Sequence, residues 1–500
     1  MDLVQNLALG FQACLQPINL FYCFIGVLIG TLVGVLPGLG PSGAIAILLP
    51  ATFHAPPLAA IIMLAGVYYG GQYGGSTTSI LINIPGEAAS IVTCLDGHQM
   101  ALKGRAGPAL GICAFGSFIA GTLGVIGLML LAQPMVRFAL KFGPPEYLSL
   151  VILGLVILSY LSTKSLLKSL AMAALGLIIG FVGTDIVGGQ ERFTLGIDEL
   201  LDGIRLVPMV VGLFGFSEIL QSLEELAVGK GVIKTHIQGL LPSRKDWHDS
   251  FWPILRGTAV GFLLGVLPGG GAILSSFASY AVEKKVSKHP ERFGTGTIEG
   301  VAGPESAGNA ASSSGFIPLL TLGIPPSSAF AMLFAALLIH GIRPGPLLLQ
   351  DHPEVFWGVV TSMYIGNAML LALNLPLIGM WVQVLKVPPR FLLPIIALFA
   401  IIGVYSTNNS AFDLWVMIAF GVFGFIMRQF GFEPAPLILA FILGPMLEQN
   451  FRQALIISHG DLSIFVTRPI SVACLVIAAG LLVAGTIRRK APLRPNREKD

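Results

Sequence analysis

Apolar positions dominate this chain in runs too long for the core of a soluble domain. Residues 106–133, 145–161, 355–380 and 468–487 are nearly continuous hydrophobic sequence. A bilayer core about 30 Å thick needs roughly 17–25 such residues per crossing. Each run predicts a membrane helix. Another run is interrupted: FYCFIGVLIGTLV leads into GVLPGLGPSG at 34–43, and AIAILLP resumes at once. GVLPGGGAIL repeats the interruption at 265–274. Proline lacks a backbone donor and clashes with the preceding turn, while glycine permits positive φ, so together they stop a helix. The pattern predicts hairpins with arms 18–36 and 42–50 around a tip at 37–41, and arms 254–267 and 272–282 around a tip at 268–272. A hairpin tip at membrane depth needs protein or a polar cavity around its freed backbone groups. Exposed N–H groups there, with a helix N-terminus following, suit a carboxylate. Exposed carbonyls suit Na⁺. The bland alternative is a surface turn between two spanning helices.

Polar residues cluster in two further places. YYGGQYGGSTTS at 68–79 leads into ILINIPGE, and GPESAGNAASSSGFIPLLTLGIPP fills 303–326. Both join a Gly/Ala-rich, hydroxyl-bearing run to an apolar segment ending in Ile-Pro. Ser, Thr and Asn offer neutral donors and acceptors that hold and release a carboxylate or an ion. Each run predicts a broken helix, around 74–86 and 305–326; a polar loop is the alternative. Glu87, Glu305, Arg105 and Arg343 stand beside these motifs. The two arginines fit interfacial anchors. Glu305 directly precedes Ser306 and lies near Asn309, as an ion ligand or a structural partner.

These motifs recur in order. Glycines at 26, 30, 34 and 38 reappear at 257, 261, 265 and 269, an offset of 231 from Gly26 to Gly257. Asn83-Ile84-Pro85-Gly86 answers Gly323-Ile324-Pro325-Pro326, and Arg105-Ala106-Gly107-Pro108 answers Arg343-Pro344-Gly345-Pro346. Gly143-Pro144-Pro145-Glu146-Tyr147 answers Val387-Pro388-Pro389-Arg390-Phe391. Glycines four apart share a helix face and make a smooth strip for close packing. The order predicts a duplication: a first repeat over 1–221, a linker over 222–256, a second repeat over 257–449, a final loop and helix over 450–487, and a basic tail over 488–500.

Charge orients this plan. The linker holds nine charged residues, five of them basic, and the tail RRKAPLRPNREKD is basic too. The positive-inside rule puts both in the cytoplasm. The last helix then enters from outside, so each half crosses an odd number of times and the two are inverted. Inverted repeats place a site between the halves near the midplane, made by discontinuous helices. The expected fold is an all-α polytopic membrane protein with two inverted structural repeats, helical hairpins and broken helices.

Composition agrees. The 500 residues are 54% hydrophobic and 11% charged, with mean hydropathy +0.82, against about 25% charged in soluble domains. The N-terminus MDLVQNLALG lacks a basic n-region, so no signal cleavage is expected. Five scattered cysteines give neither a disulfide framework nor a CxxC site. The eight histidines show no ligand spacing, and no GxxxxGK[ST], GxSxG or TVGYG-type sequence occurs. No cofactor and no nucleic-acid partner is expected.

GVLPGLGPSGAIAILLP, YYGGQYGGSTTSILINIPGE, GVLPGGGA and NAASSSGFIPLLTLGIPP together resemble the signature segments of the large membrane subunit of tripartite tricarboxylate transporters. That resemblance implies a secondary active importer in the bacterial inner membrane, not an enzyme. Its partners would be a small four-helix membrane subunit and a periplasmic substrate-binding protein. Its substrate would be a carboxylate such as citrate, with Na⁺ or H⁺ as coupling ion, and analogy to tripartite periplasmic transporters implies an elevator-type transport domain. Matching motifs place the substrate at Gly38, Gly40, Ser42, Ser76, Thr77, Thr78, Asn83, Gly269, Gly270, Gly271, Asn309, Ser312 and Thr321. Ser76, Asn83, Glu305, Asn309 and Thr321 are the Na⁺ candidates. Where the family pattern implies paired asparagines this chain has Gly308-Asn309, which bears on the ion ligands. Rival readings are a passive anion channel, with flux independent of Na⁺, and an intramembrane enzyme. The latter needs a nucleophile–base pair, for which only Glu305 or Asp185 stands near hydroxyls.

Overall fold

The computed structural model describes residues 3–36, 40–161, 165–185, 188–226, 239–267, 269, 271–384 and 389–488. Gly38 and Gly270, the linker stretch 227–238 and the tail 489–500 lie outside the described residues. The described chain is helical apart from one ribbon that pairs Gly183 with Arg192 and Thr184 with Glu191. Among the described residues, five helices are long and apolar enough to cross a membrane: Pro17–Val35, Ala106–Ala139, Leu206–Glu224, Pro353–Asn374 and Ala411–Gln429. The protein is an all-α polytopic membrane protein.

Its first elements are α1 (Leu3–Cys14), α2 (Pro17–Val35), α3 (Pro41–Leu48) and α4 (Pro57–Ile82). Prolines stand in the first turn of α2, α3 and α4, where their missing N–H costs nothing. A composite helical segment, α5, covers 88–102, followed by α6 (Ala106–Ala139), α7 (Pro144–Leu161), α8 (Leu166–Gly180) and a second composite segment, α9, over 206–226. Then come α10 (Arg244–Gly265), α11 (Gly271–Val286), α12 (Glu299–Ser314), α13 (Ser328–Ile339) and α14 (Pro353–Asn374). Four more long helices, Pro389–Asn408, Ala411–Gln429, Pro434–Ile457 and Pro469–Arg488, complete the bundle.

Several boundaries differ from the sequence reading. Residues 74–82 are regular helix within α4, and the chain breaks only over 83–87. Residues 305–314 are likewise regular helix, and the second break covers 323–327. Pro41 and Gly271, expected in the tips, already start helices. Half of the expected linker is helical, because α10 begins at Arg244 under a capping box made by Ser243 and Asp246.

Two glycine seams hold the interior together. A Cβ on Gly26, Gly30 or Gly34 of α2 would lie 2.2, 2.5 or 2.4 Å from the carbonyl oxygens of Met63, Val67 and Gly71 on α4. On α10, a Cβ on Gly257 or Gly261 would lie 2.2 or 2.1 Å from those of Gly303 and Ala307 on α12, and Gly265 sits as close to Ala311. In lipid such packing replaces the hydrophobic drive between helices. Both contacts advance in step, so each pair runs parallel.

α4 is buried from Ala59 to Leu81 and α12 from Gly300 to Ser314, although both are rich in Gly, Ser and Thr. The two axial helices run antiparallel. Ser76 meets Glu305, while Gln72, one turn back, faces Gly308, one turn on. α4 starts beside Gly341 and His352 at one end of the bundle, around a surface cavity of about 680 Å³. α12 starts at the other end, where Lys103 bonds the Thr295 carbonyl and buried Asp96 accepts from the N–H groups of Gly294, Gly296 and Thr297. Each hairpin, α2–α3 and α10–α11, enters from the end where its axial helix begins and turns back in the middle.

Arg105 pairs with Asp246 at the α12-start end, whereas Arg343 is exposed. Burial opposes ionisation of Asp246, but the Ser243 hydroxyl and amide, then Arg105, outweigh it and hold its carboxyl below the ordinary range. The folded value lies below the unfolded one, about 3.9, so this stabilisation is full above that value and is lost as pH falls through the folded one. Asp246→Asn is therefore expected to lower the melting temperature at neutral pH, with the gap closing in acid. A gap that ignores pH in scanning fluorimetry contradicts this assignment.

Candidate functional site

The chain turns or breaks at four places that meet in the middle of the bundle. Two are hairpin turns and two interrupt the axial helices. α4 ends at Asn83, which takes the left-handed conformation at φ 57°, and the axial run of α12 ends at Gly323, at φ 71°. Glycine reaches that region without steric cost, and asparagine is among the few other residues that visit it. The following Ile-Pro then forbids continuation of the helix.

Contacts tie these segments together, within and between halves. Gly86 packs on the Gly34 carbonyl. The Gly269 N–H donates to the Pro326 carbonyl at 2.8 Å. Across the halves, Ser42 Oγ and Ser328 Oγ share a 2.9 Å hydrogen bond, and Ala272 clusters with Ala89 and Ala311. The N-termini of α3, α5, α11 and α13 therefore converge on one region. The N-terminus of α5 is already met by a side chain of its own, because Glu87 accepts from the Ala89 N–H at 3.1 Å. α3 and α13 have no side-chain cap, so their first N–H groups are available to a ligand.

Behind this region lies a buried polar layer. Glu305 on α12 accepts from Ser76 on α4 at 2.5 Å and from Thr93 on α5. Gln72 donates to Glu87 at 3.1 Å. Asn309 donates to Ser117 on α6 at 2.7 Å and to the Glu305 carbonyl at 3.0 Å. Among the described residues neither Glu87 nor Glu305 forms an ion pair with Lys, Arg or His. Uncompensated carboxylates at membrane depth are costly and mark function.

The structure sorts the residues expected from the sequence. Gly40 precedes α3 with open space where a side chain would project, and Ser42, Gly269 and Gly271 lie at the hairpin turns. Ser76, Glu305 and Asn309 join one network. Thr77 lines a small cavity beside it. Thr78 donates to the Val35 carbonyl at 2.8 Å and so fastens α4 to α2. Ser312 and Thr321 donate to the Gly308 and Ile317 carbonyls of their own helical turns. Asn83 caps α4 with its side chain exposed. Among the described residues, no hydrogen bond links Asn83 or Thr321 to Ser76, Glu305 and Asn309. Sequence reading passed over Thr93, Ser117 and Ser328. Only Ser328 carried a local signal, as a serine just past Ile-Pro-Pro where a helix starts. The described residues hold no group of three or more His, Cys, Asp and Glu that fits a metal ion.

No solved structure matches this chain. A 52.8 kDa uncharacterised protein from the TAR-I ttuC' 3' region of Agrobacterium vitis is 51% identical over 499 residues, 100% of this chain and 99% of the relative. An uncharacterised protein from the TAR-II ttuC' 3' region of the same organism is 53% identical over 233 residues, 46% of this chain and 96% of the relative. The family described as "Tripartite tricarboxylate transporter TctA family" matches residues 20–439. With that match and a full-length relative, this chain belongs to the tripartite tricarboxylate transporter TctA family.

Proposed function

We propose that the chain is the large membrane subunit of a binding-protein-dependent secondary active importer of carboxylates. The substrate is a tricarboxylate such as citrate, or a related dicarboxylate or aromatic acid. A Na⁺ or H⁺ gradient drives it, in the bacterial inner membrane with the C-terminus cytoplasmic. Its partners are a small four-helix membrane subunit and a periplasmic substrate-binding protein. The observation that carries this reading is the convergence of α3, α11 and α13 N-termini beside buried carboxylates that lack a basic partner. Helix N-termini attract a carboxylate without fixing its identity. A cation moving with the anion offsets its charge against an inside-negative potential, worth about 2.3 kcal/mol per charge per 100 mV.

The antiparallel axial helices, each followed by an Ile-Pro break and flanked by a hairpin from its own end, support an inverted-repeat reading. With the 222–256 linker cytoplasmic, the Arg105–Asp246 end faces inward and the His352 end faces the periplasm. The binding protein delivers the anion there. The hairpins and broken helices then move as an elevator past the outer helices, which contact the small subunit.

Uptake of a labelled carboxylate panel into proteoliposomes, with the small subunit and with or without the binding protein and an inward Na⁺ or H⁺ gradient, tests this. Uptake requiring both the binding protein and a cation gradient is expected. Flux indifferent to both makes the chain an anion channel and overturns the proposal.

A further inference from the structure

We propose that the loop after the short ribbon is a membrane-surface anchor, with Phe193, Leu195 and Ile197 seated among the acyl chains of a zwitterionic bilayer. Leu195 is 87% exposed and Phe193 64%, and Ile197 is exposed as well, whereas Thr194 between them is buried. Exposed apolar side chains are ordinary on a lipid-facing helix, but these three stand on irregular backbone. Phe193 and Leu195 also hold φ at 54° and 53°, in the left-handed region that bulky residues avoid. Such strain persists only where the surrounding structure enforces it, and it clusters at functional sites.

A closed ring of four charges does the enforcing. Arg192 pairs with Asp185 at 2.9 Å and with Glu448 at 3.0 Å. Arg452 pairs with Asp185 at 3.2 Å and with Glu448 at 2.6 Å. Each acid meets both arginines, so the ring carries no net charge and fastens the ribbon to helix Pro434–Ile457. Phe193 follows Arg192 directly. Thr194 donates to Glu191 Oε2 at 3.0 Å, the Ile197 N–H to the Thr194 carbonyl at 2.9 Å and the Thr184 N–H to the Leu201 carbonyl at 2.8 Å. The importer reading uses none of these bonds.

Depth identifies the occupant. α8 and helix Pro434–Ile457 run parallel from one end. Lys168 donates to the Phe430 carbonyl at that end, a Cβ on Gly176 would lie 2.1 Å from the Leu437 carbonyl oxygen, and one on Gly180 would lie 3.0 Å from that of Phe441. Lys168 and the Arg428–Glu218 pair mark the near membrane boundary. At a rise of about 1.5 Å per residue, Glu448 and Arg452 stand roughly 21 and 27 Å beyond Pro434, within a hydrocarbon core about 30 Å thick. Ile456 and Ile457, one turn further out, are exposed apolar residues too. The ribbon therefore lies at the level of the outer acyl chains, where charges need partners, and the ring supplies them internally. Exposed Glu191, Asp198 and Glu199 flank the three apolar residues, which favours a zwitterionic bilayer over an anionic one. On the orientation proposed above, the leaflet is the periplasmic one. Seated there, the loop fixes the height of helix Pro434–Ile457 in the bilayer.

The test puts a fluorophore on Leu195→Cys in the full chain, with its five native cysteines replaced, in phosphatidylcholine nanodiscs. Phe193→Cys is a second probe should the first fail to fold, and His248→Cys, where the side chain is 90% exposed, is the reference in water. Lipids that carry a nitroxide near the ester end of an acyl chain should remove most of the emission at 193 and 195 and little at 248. Aqueous iodide should do the reverse. Iodide quenching at 193 and 195 equal to that at 248 overturns the anchor. So does shielding from iodide without nitroxide quenching, which assigns the patch to a second copy of the chain. Replacing part of the phosphatidylcholine with phosphatidylglycerol should not raise the nitroxide quenching; a rise contradicts the zwitterionic preference. Arg192→Gln in the Leu195→Cys chain opens the ring and should lose nitroxide quenching and gain iodide quenching. Unchanged quenching there contradicts the role of the ring. These readouts depend neither on transport nor on which way the chain faces, so they stand apart from the importer reading.

Discussion

Gly261→Ala is expected to lower the melting temperature sharply and to reduce the monodisperse yield of the protein. Its new methyl group would lie 2.1 Å from the Ala307 carbonyl oxygen and 2.6 Å from the Ala307 Cα. Both are backbone atoms of α12, so no side chain can swing aside. Relief requires that α10 move off α12, which also opens the neighbouring contacts of Gly257 and Gly265. Overpacking of this kind costs about 1–3 kcal/mol, and the α10–α12 seam positions Glu305 and Asn309. Gly480→Ala is the matched control, since nothing lies within 4 Å of its added Cβ. In thermal scans the control should match the unsubstituted chain. A Gly261→Ala protein as stable as the control contradicts the seam.

Glu305→Ala is expected to abolish carboxylate uptake. Two hydroxyl donors from different helices, Ser76 on α4 and Thr93 on α5, end on this carboxylate. Its loss leaves them unpaired in a dry interior, at about 1–3 kcal/mol for each stranded group. It also removes the acidic group that joins α12 to α4 and α5. Glu305→Gln separates these effects. It keeps one acceptor oxygen and the shape, but cannot ionise. If the charge drives ion binding, the glutamine variant folds and still fails to transport. A glutamine variant with normal uptake and normal cation dependence makes Glu305 a purely structural partner.

The membrane class was legible in the apolar runs, and the helix stops in the Pro-Gly tips and the Ile-Pro pairs. These signals are local, because proline and glycine act on their own backbone. The hydroxyl-rich runs were harder. Gly, Ser and Thr in sequence point toward turns or interrupted helix, yet 74–82 and 305–314 are unbroken helix. Tertiary packing overrides propensity there: the glycine seams let α2 and α10 approach so closely that the polar helices are wholly enclosed. The expected site residues divide for a similar reason. Asn83 and Thr321 belong to the same motifs as Ser76 and Asn309, but Asn83 takes the left-handed turn that ends α4 and Thr321 spends its hydroxyl on the Ile317 carbonyl of its own helix. Thr93 and Ser117 were unreadable. Thr93 meets Glu305 across 212 positions, and Ser117 meets Asn309 across 192. A single sequence carries no trace of such pairings.

Ser328 offers the most direct test of the central claim that the hairpin turns and helix breaks form the carboxylate site. It opens α13 and touches Ser42 of the opposite half. In a chain whose five native cysteines are replaced, a single Ser328→Cys thiol is reacted with a maleimide in proteoliposomes. The carboxylate that the panel identifies as transported should slow this reaction saturably, at the concentration that half-saturates uptake, while an untransported acid leaves it unchanged. A thiol that reacts at the same rate with and without the transported acid contradicts the account and moves the substrate away from the junction of the two halves.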